Sequence, residues 1–558
     1  MPKIEISQKD LCSLIGRKLS AEQLKELMLY AKGEVDEVSG DAMKVDIKDT
    51  NRLDLWSTEG IAREIKGRLN EKGLPVFKLK AGKVSVIVDT KSPIQPLAVC
   101  AIARNLKIDD NFLSQIIQLQ EKLAVTFGKN RKEISMGVYD LDKIKFPVKY
   151  TSMHRDKIRF APLGHSKEMG AREILEHHQK GKEFGHLMHG EEYPVWMDGN
   201  NKILSMPPII NSNDIGNVTA KTKNVFIECT GYDMKFLQTC IDTLAAQMLD
   251  RKGDVETVTT ITNGKKITTP SLQPKKFYTS VTYINKVSGL NLPDKKIIDL
   301  LEMARYKCKI AGRKASVGGG KRIELEYPGY RQDIMHERDV AEDAIISYGY
   351  NNIKPEPPKL ITKGGISAEQ IKSNRVAEIM AGAGFQEILS YTLTNSDNIH
   401  EKMNTNGTAI EIENPVSTNW SVFRTWLLPG LLEFLSKNQH IEYPHMIFET
   451  GQCIVLANTE TRSKDIPKLA AAVSASTVNY ETISSSLDAL FRNLGIKYSL
   501  KKCSHPSFIE GRCAEIIVGK EMAGYVGEIH PLVLNNWSLE KPVVAFEIGL
   551  EEIFKMLK

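Results

Sequence analysis

Two periods alternate along the chain when it is read only as apolar and polar positions. SAEQLKELMLYAKG puts Leu24, Leu27, Met28 and Ala31 on one face of a helical repeat, and Ser20 with Gln23 has the spacing of a reciprocal N-terminal cap. MKVDIKDTNRLDLWSTEGIAREIKGRL predicts a short alternating strand, then a helix through Ile61, Ile65 and Leu69. After VFKLKAGKVSVIVD comes a long mixed region with a helical run, NFLSQIIQLQEKLAVTFG, and strand signals such as NVFIECTG. ITNGKKITTPSLQPKK, at 261–276, is polar, carries two prolines and predicts a linker. Two helical patterns, KKIIDLLEMARYKC and DVAEDAIISYG, then flank a strand, KRIELEYP. In NIKPEPPKLITKGG three prolines fall within four residues, which no helix survives, so a boundary is expected there. The remainder alternates helices with the apolar strands HMIFETG, EIIVG and VVAFEIG, an α+β pattern with an antiparallel sheet. No internal repeat is visible.

Length turns this pattern into an α+β multidomain chain: 558 residues suggest roughly three to five domains. The expected divisions are 1–85, 86–265, 277–353 and 360–558. At 41% hydrophobic and 26% charged, the composition supports sizeable cores. A net charge of +6, from 75 basic and 69 acidic residues, confines any nucleic-acid surface to a local patch. No apolar run approaches the ~18 residues of a membrane span, and MPKIEISQKD lacks a signal-peptide core. The eight cysteines are scattered without C-x-x-C spacing, which fits reduced thiols. A cytoplasmic chain without a membrane partner is expected.

RQDIMHERDVAEDAIISYGY, at 331–350, concentrates four acids: Asp333, Asp339, Glu342 and Asp343. The last three fall at i, i+3 and i+4, where helical carboxylates face the same way and repel. One reading is a helix start, with Asp339 as N-cap and Glu342 as the reciprocal acid, which leaves Asp333 and Asp343 unexplained. The other is a hard-cation site, since carboxylate oxygens suit magnesium and four of them leave about two octahedral positions to water. Spacing leaves both open.

The wider stretch YPGYRQDIMHERDVAEDAIISYGYNNI closely resembles the magnesium-binding helical module of the phenylalanyl–tRNA synthetase beta subunit family. The resemblance implies that Asp333, Asp339, Glu342 and Asp343 are Mg2+ ligands. It extends over essentially the whole chain. DTNRLDLWSTEGIAREI resembles the family's N-terminal domain. LQEKLAVTFGKNRKEISMGVYDLDKIK and SMPPIINSNDIGNVTAKTKNVFIECTGYD resemble its mixed α/β editing domain, in the shorter archaeal and eukaryotic form. FRTWLLPGLLEFLSKNQ, HPSFIEGRCAEI and GYVGEIHP resemble its C-terminal class II synthetase-like antiparallel sheet domain. The family assembles as two alpha and two beta chains, with aminoacylation and ATP use at the alpha subunit. The implied partners are therefore an alpha chain and tRNA(Phe).

Class II synthetases hold ATP with arginines in F-R-x-E and G-x-G-x-x-x-R, because guanidinium binds phosphate oxygens in a bidentate way. Phe423 and Arg424 are present here, but Trp426 stands where the acid belongs and the second motif is missing. Arg424 is therefore expected in a structural salt bridge, in a domain inactive for aminoacylation. For editing, an apolar phenylalanine pocket rejects tyrosine only on the order of a hundredfold, whereas a hydrolytic site can select for the added hydroxyl. Glu228 is the expected acceptor for that hydroxyl, with Thr230 on the same strand face; the shorter family form has aspartate at this position. Ser205 and Asn211 match pocket-lining loop positions of the family, with turn capping around Pro207 and Pro208 as the plainer role.

Other features read as background. Gly318-Gly319-Gly320 lacks the Lys-Ser/Thr ending of a phosphate loop, and Gly382-Ala383-Gly384 puts Glu387 where a third glycine belongs, so both predict turns. Six histidines between 154 and 189 show no helical H-x-x-x-H pair and read as a solvated face. Lys129, Arg131, Lys132, Lys180 and Lys182 are placed to attract a tRNA end. The resemblance thus implies a subunit of a phenylalanine-activating ligase that also hydrolyses tyrosyl-tRNA; because the motifs show no Ser/His/Asp arrangement, direct attack by water without a covalent intermediate is expected. Two rivals are a stand-alone editing hydrolase, active as a monomer, and a non-catalytic RNA-binding scaffold, which would bind tRNA without deacylating it.

Overall fold

A computed structural model describes residues 2–69, 71–311 and 322–557. It separates into two units, Met1–Glu356 and Pro357–Lys558. Both mix helices with several sheets, so the chain is α+β and multidomain.

The first unit opens with a three-stranded antiparallel sheet of β1 (Lys3–Ser7), β2 (Gly33–Ser39) and β3 (Ala42–Ile47), with β3 central. The helix Ala21–Met28 carries the expected Ser20/Gln23 cap and buries Leu24 and Met28. The helix Thr58–Leu69 is enclosed on nearly every side, and its charged Glu59, Arg63 and Glu64 are buried along with Ile61 and Ile65. Gly60 permits that enclosure, because a Cβ there would sit 1.6 Å from the Asp54 carbonyl oxygen.

The largest sheet has ten strands: β4 (Ser85–Asp89), β5 (Leu97–Arg104), β6 (Ile134–Asp140), β7 (Lys149–His154), β10 (Glu192–Met197), β11 (Ile203–Met206), β12 (Ile210–Asn211), β13 (Val225–Gly231), β14 (Asp254–Thr262) and β15 (Lys265–Thr269). Two short strands, β8 (Arg159–Phe160) and β9 (Met169–Gly170), pair separately. The path runs β12-β11-β10-β7-β4-β14-β5-β13-β6, with β15 against β14. Contacts of β4 with β14 and β7 are parallel, while β13 lies antiparallel to both β5 and β6. The helix Met234–Asp250 covers one face, where Leu237, Ile241 and Leu244 meet Val225, Ile227 and Cys229.

Here the sequence reading needs correction. The segment 261–276 is not a linker: β14 and β15 form a hairpin with Thr262 paired to Lys265 across Asn263-Gly264. Both turn residues take positive φ, the geometry that Asn-Gly supplies between strands. The next region holds more than two helices around one strand. It has a three-stranded antiparallel sheet, β16 (Lys275–Ser280), β18 (Arg322–Tyr327) and β17 (Lys307–Ala311) in that order, and the helices Val281–Ser288, Asp294–Met303 and Glu337–Tyr348. The Gly318-Gly319-Gly320 turn lies outside the described residues.

The second unit centres on a seven-stranded sheet. Its strands are β19 (Gln386–Glu387), β22 (His445–Leu456), β23 (Ser463–Ser474), β24 (Tyr498–Lys502), β25 (Phe508–Val518), β26 (Glu521–Ile529) and β27 (Val543–Gly549). Their order is β19-β22-β23-β27-β26-β25-β24, antiparallel except for the parallel β19–β22 pair. A small ribbon joins β20 (Leu393–Thr394) to β21 (Val422–Phe423). Leu487, Leu490 and Phe491 of the helix Tyr480–Leu494 join one core on this sheet, while Leu431, Leu432 and Leu435 of the helix Leu428–Lys437 join another. Gly382 ends the helix Ala368–Gly382 and Gly384 takes a positive φ, so this glycine pair is a turn.

Candidate functional site

Strand β13 is buried at every position, yet its two faces differ in chemistry. Ile227 and Cys229 enter the apolar core under the helix Met234–Asp250, whereas Phe226 joins a second core with Tyr139 and Trp196. Glu228 and Thr230 alternate with Ile227 and Cys229 and so share the face of Phe226.

Register with β6 builds the site around Glu228. Phe226, Glu228 and Thr230 stand opposite Tyr139, Gly137 and Ser135. Because Gly137 has no side chain, Tyr139 leans over it and brings its phenol to 2.9 Å from Glu228 Oε1. A Cβ on Gly137 would lie 2.4 Å from the Tyr139 hydroxyl and 2.7 Å from Glu228 Oε1. The same phenol contacts Ser205 Oγ at 2.8 Å and Asn211 Oδ1 at 3.5 Å. Ser205 and Asn211 are themselves partners across β11 and β12. A phenol has one proton to donate, so when Glu228 is ionised that proton serves the carboxylate and Ser205 brings its own.

Glu228 is 2% exposed, and its second oxygen, Oε2, has no hydrogen-bond partner. Burial pushes its carboxyl up to about 8, while Tyr139 and the nearby Trp196 indole oppose the rise. The Trp196 N–H nonetheless completes no hydrogen bond of acceptable geometry. An ionised carboxylate in an apolar enclosure is costly, and a buried carboxyl oxygen without a hydrogen-bond partner is uncommon.

Beside this carboxyl lies a cavity of about 270 Å³ lined by Glu228, Asn211, Ser135, Arg131, Met136 and Ile209, among others. That is near the lower end of ligand-pocket sizes, ~300 Å³. Arg131 shapes its rim, donating from Nη1 to the carbonyls of Pro208 (3.0 Å) and Ile209 (2.8 Å). Thr230 does not line the cavity. Its hydroxyl meets Ser135 and Gln95 Oε1, both at 2.9 Å. Ser205 stands behind Tyr139. Glu228, Ser205 and Asn211 thus meet at the Tyr139 hydroxyl, while Thr230 belongs to a separate group with Ser135 and Gln95, and only Glu228 and Asn211 of the four border the cavity. Tyr139 and Ser135 reach the site through register between distant strands, Gln95 and Arg131 through loops, and none of the four is expected there from the sequence.

The acids at 331–350 form a different arrangement. The helix begins at Glu337, with His336 as N-cap and Asp339 as the reciprocal N3 acid, three residues earlier than the capping reading placed it. Asp339 Oδ2 accepts from the Met335 and His336 amides at 2.8 and 2.6 Å. Asp333 pairs with Arg331, whose Nε lies 3.0 Å from Oδ1. Asp343 is buried and held at 2.7 Å by both Arg331 Nη2 and the Tyr306 hydroxyl. Lys32 stands 3.5 Å from Glu342 and 3.8 Å from Asp343. Arg331 and Lys32 together keep the Asp343 carboxyl far below the usual range despite its burial. Glu342 alone is half exposed. The four carboxylates do not converge, and among the described residues no group of three or more His, Cys, Asp and Glu side chains could hold a metal ion.

That result covers the histidine-rich stretch too, where His178 Nε2 contacts the Leu163 carbonyl at 3.3 Å and His154 lies 3.7 Å from Asp156 and Glu191. Of the basic residues nearby, Arg131 points inward, Lys129 and Lys180 pair with Glu133 and Glu183, and Lys132 and Lys182 are exposed.

In the second unit Arg424 is buried and held through its Nε and Nη1. Its Nη1 lies 2.6 Å from Glu449 Oε1 and 2.8 Å from Ser390 Oγ, and its Nε donates to the Gln452 carbonyl at 2.9 Å. Trp426 donates to the Ile399 carbonyl at 3.1 Å. No helix among the described residues is long and apolar enough to cross a membrane.

Comparison with known proteins covers the chain in three segments. Residues 86–263 match the B3/4 domain, 277–350 the tRNA synthetase B5 domain, and 353–550 the phenylalanyl tRNA synthetase beta chain CLM domain. Over its whole length the chain is 44% identical to the phenylalanine–tRNA ligase beta subunit of Pyrococcus horikoshii, covering 100% of both proteins. The corresponding subunit of Methanococcus aeolicus is 35% identical, over 99% of this chain and 100% of the relative. A crystal structure of an N-terminal fragment of the phenylalanyl-tRNA synthetase beta-subunit from Pyrococcus horikoshii aligns with a TM-score of 0.59 at 44% identity, over 62% of this chain and all of the fragment.

Proposed function

Because the chain belongs to the phenylalanine–tRNA ligase beta subunit family, and so serves a ligase that joins phenylalanine to tRNA, we propose that its own chemistry is hydrolytic proofreading in the Glu228 cavity. The observation that carries this reading is the orphaned Oε2 of Glu228, a residue that lines a small, mostly apolar pocket. A tyrosyl ester brings a phenol there and satisfies that oxygen; a phenylalanyl ester has nothing to donate and leaves it bare. A site built to hydrogen-bond a substrate hydroxyl rejects the analogue lacking it by as much as ~10⁴-fold or more.

Tyr139 and Ser205 position the carboxyl, Asn211 and Arg131 shape the rim, and the ester is attacked directly by water. No serine–histidine–acid arrangement at this cavity suggests an acyl-enzyme, so the chain's own residues orient and select rather than form a bond. Activation of phenylalanine with ATP belongs, in this reading, to an alpha chain that pairs with this one in a tetramer of two alpha and two beta chains acting on tRNA(Phe) in the cytoplasm. The unit Pro357–Lys558 is then a scaffold of synthetase-like shape, since Arg424 is spent on Glu449. Magnesium does not enter this reading. A hard cation would have to displace Arg331 from Asp333 and Asp343 and the backbone amides from Asp339.

The test is Glu228→Ala in the assembled ligase. Deacylation of tyrosyl-tRNA should slow sharply while charging with phenylalanine stays near that of the parent. Equal deacylation by both proteins removes Glu228 from the role.

A further inference from the structure

We propose that Cys503 and Cys513 are a reversible redox pair that closes to an intramolecular disulfide at the edge of the second unit's sheet. The position follows from register. Strands β24 and β25 pair antiparallel up to Lys502 and Ala514, and the next rung sets Cys503 against Cys513. The Cys503 amide contacts the Cys513 carbonyl at 3.4 Å, so the two backbones still run side by side there. Directly opposed cross-strand residues have Cα atoms about 4.5–5.5 Å apart. A disulfide spans roughly 4.4–6.8 Å, so the backbone need not move to accept one. The sulfurs already touch, at 3.3 Å.

Their surroundings give the pair an order of reaction. Cys503 is half-buried and reachable, whereas Cys513 is buried. Burial and the neighbouring Cys503 sulfur raise the Cys513 thiol above its ordinary range. Thiolate character and access govern which cysteine an oxidant meets first. A hydroperoxide is the oxidant class. The Cys503 thiolate attacks its distal oxygen, the O–O bond breaks, the other oxygen takes a proton and leaves as an alcohol (water for hydrogen peroxide), and Cys503 becomes a sulfenic acid. Cys513 then loses its proton and attacks the Cys503 sulfur; the S–S bond forms, the S–O bond breaks, and water leaves. Two thiols are oxidised and one peroxide is reduced. A dithiol reverses the step by exchange.

Closure would tie down the turn between β24 and β25. That turn carries His505, whose ring lies 4.7 Å from Tyr525 and 6.1 Å from Trp426. With Lys468 and Glu547, these three residues line a cavity of about 490 Å³. The pair therefore fixes one wall of that cavity when oxidised and frees it when reduced.

The experiment uses the reduced full-length chain, treated with hydrogen peroxide, denatured in an alkylating agent and digested for mass spectrometry. A peptide pair linking 503 to 513, lighter by about two hydrogens and opened by dithiothreitol, is expected. Alkylation of both residues as fully as before peroxide overturns the proposal, as does a sulfinic acid at Cys503 beside an untouched Cys513 thiol. In Cys503→Ser, Cys513 should survive the same treatment as a free thiol. Its oxidation at the parent's rate would overturn Cys503 as the point of entry.

Discussion

The phenol of Tyr139 lies 2.9 Å from Glu228 Oε1, joining residues 89 positions apart in sequence and adjacent in the sheet. This contact occupies one carboxyl oxygen and leaves the other without a hydrogen-bond partner, on a residue that lines the cavity. Tyr139→Phe removes the donor while keeping the ring. A hydrogen bond between neutral groups contributes about 0.5–1.5 kcal/mol, so tyrosyl-tRNA deacylation should fall roughly two- to tenfold. Single-turnover deacylation measures this; an unchanged rate would show that Tyr139 merely fills space.

Glu228 also fixes a pH dependence. Its carboxyl stands near 8 when folded, against an ordinary value of 4.5. Between those values the folded chain holds a proton that the unfolded chain has released, so stability falls as pH rises, by up to about 1.4 kcal/mol per unit. Glu228→Gln keeps the shape and removes the titration. Denaturant midpoints of parent and variant, measured from pH 5 to 8, should therefore diverge progressively in the variant's favour. Parallel curves would mean that Glu228 is ionised throughout.

Gly137→Ala tests the packing that makes the site. The added methyl would enter the space shared by the Tyr139 hydroxyl and Glu228 Oε1, at 2.4 and 2.7 Å. One of them must move, and overpacking of this kind costs about 1–3 kcal/mol. Loss of tyrosyl-tRNA deacylation with phenylalanine charging retained is the expected result. A variant that deacylates normally would show that the Tyr139–Glu228 contact can be broken without consequence.

Much of this arrangement was legible in the residues, and the failures share a cause. The Glu228/Thr230 face followed from strand alternation, and Arg424 followed from the missing acid at Trp426. Tyr139, Ser135 and Gln95 escaped notice because each reaches the site through register or a loop, not through spacing on β13. The hairpin at 254–269 was missed because its Thr- and Lys-rich strands read as polar loop, although Asn263-Gly264 carried the turn signal. The helix at 337 starts early because Asp339 caps His336 from inside the first turn, a role that spacing alone cannot separate from N-cap.

The acid cluster yields an outcome on metal removal. Asp343 is held by Arg331, Tyr306 and Lys32, all supplied by the chain. Chelation with EDTA should leave the thermal midpoint of the purified chain unchanged. Asp343→Ala should cost about 3–5 kcal/mol, because it leaves the Arg331 charge buried without this partner. Its carboxyl is depressed when folded, so the stabilisation is present above the ordinary aspartate range and fades as pH falls through the folded value. A midpoint that drops with EDTA and recovers with magnesium would favour the metal reading of these acids over the ion-pair one.

Arg424 decides whether the second unit retains any claim on ATP. A phosphate-binding arginine needs a free guanidinium fork, but this one meets Glu449, Ser390 and the Gln452 carbonyl. Gly451 leaves the room that Arg424 Nη2 occupies, since a Cβ there would lie 2.4 Å from it. Arg424→Met should therefore destabilise the chain by about 3–5 kcal/mol, by stranding the buried Glu449 carboxylate. Arg424→Met with Glu449→Gln should recover part of that loss, as expected for partners in one network. Neither the parent nor either variant should form phenylalanyl-adenylate without an alpha chain, measured by ATP–pyrophosphate exchange. Exchange by the purified parent, lost in Arg424→Met at a temperature where both stay folded, would make Arg424 an ATP ligand.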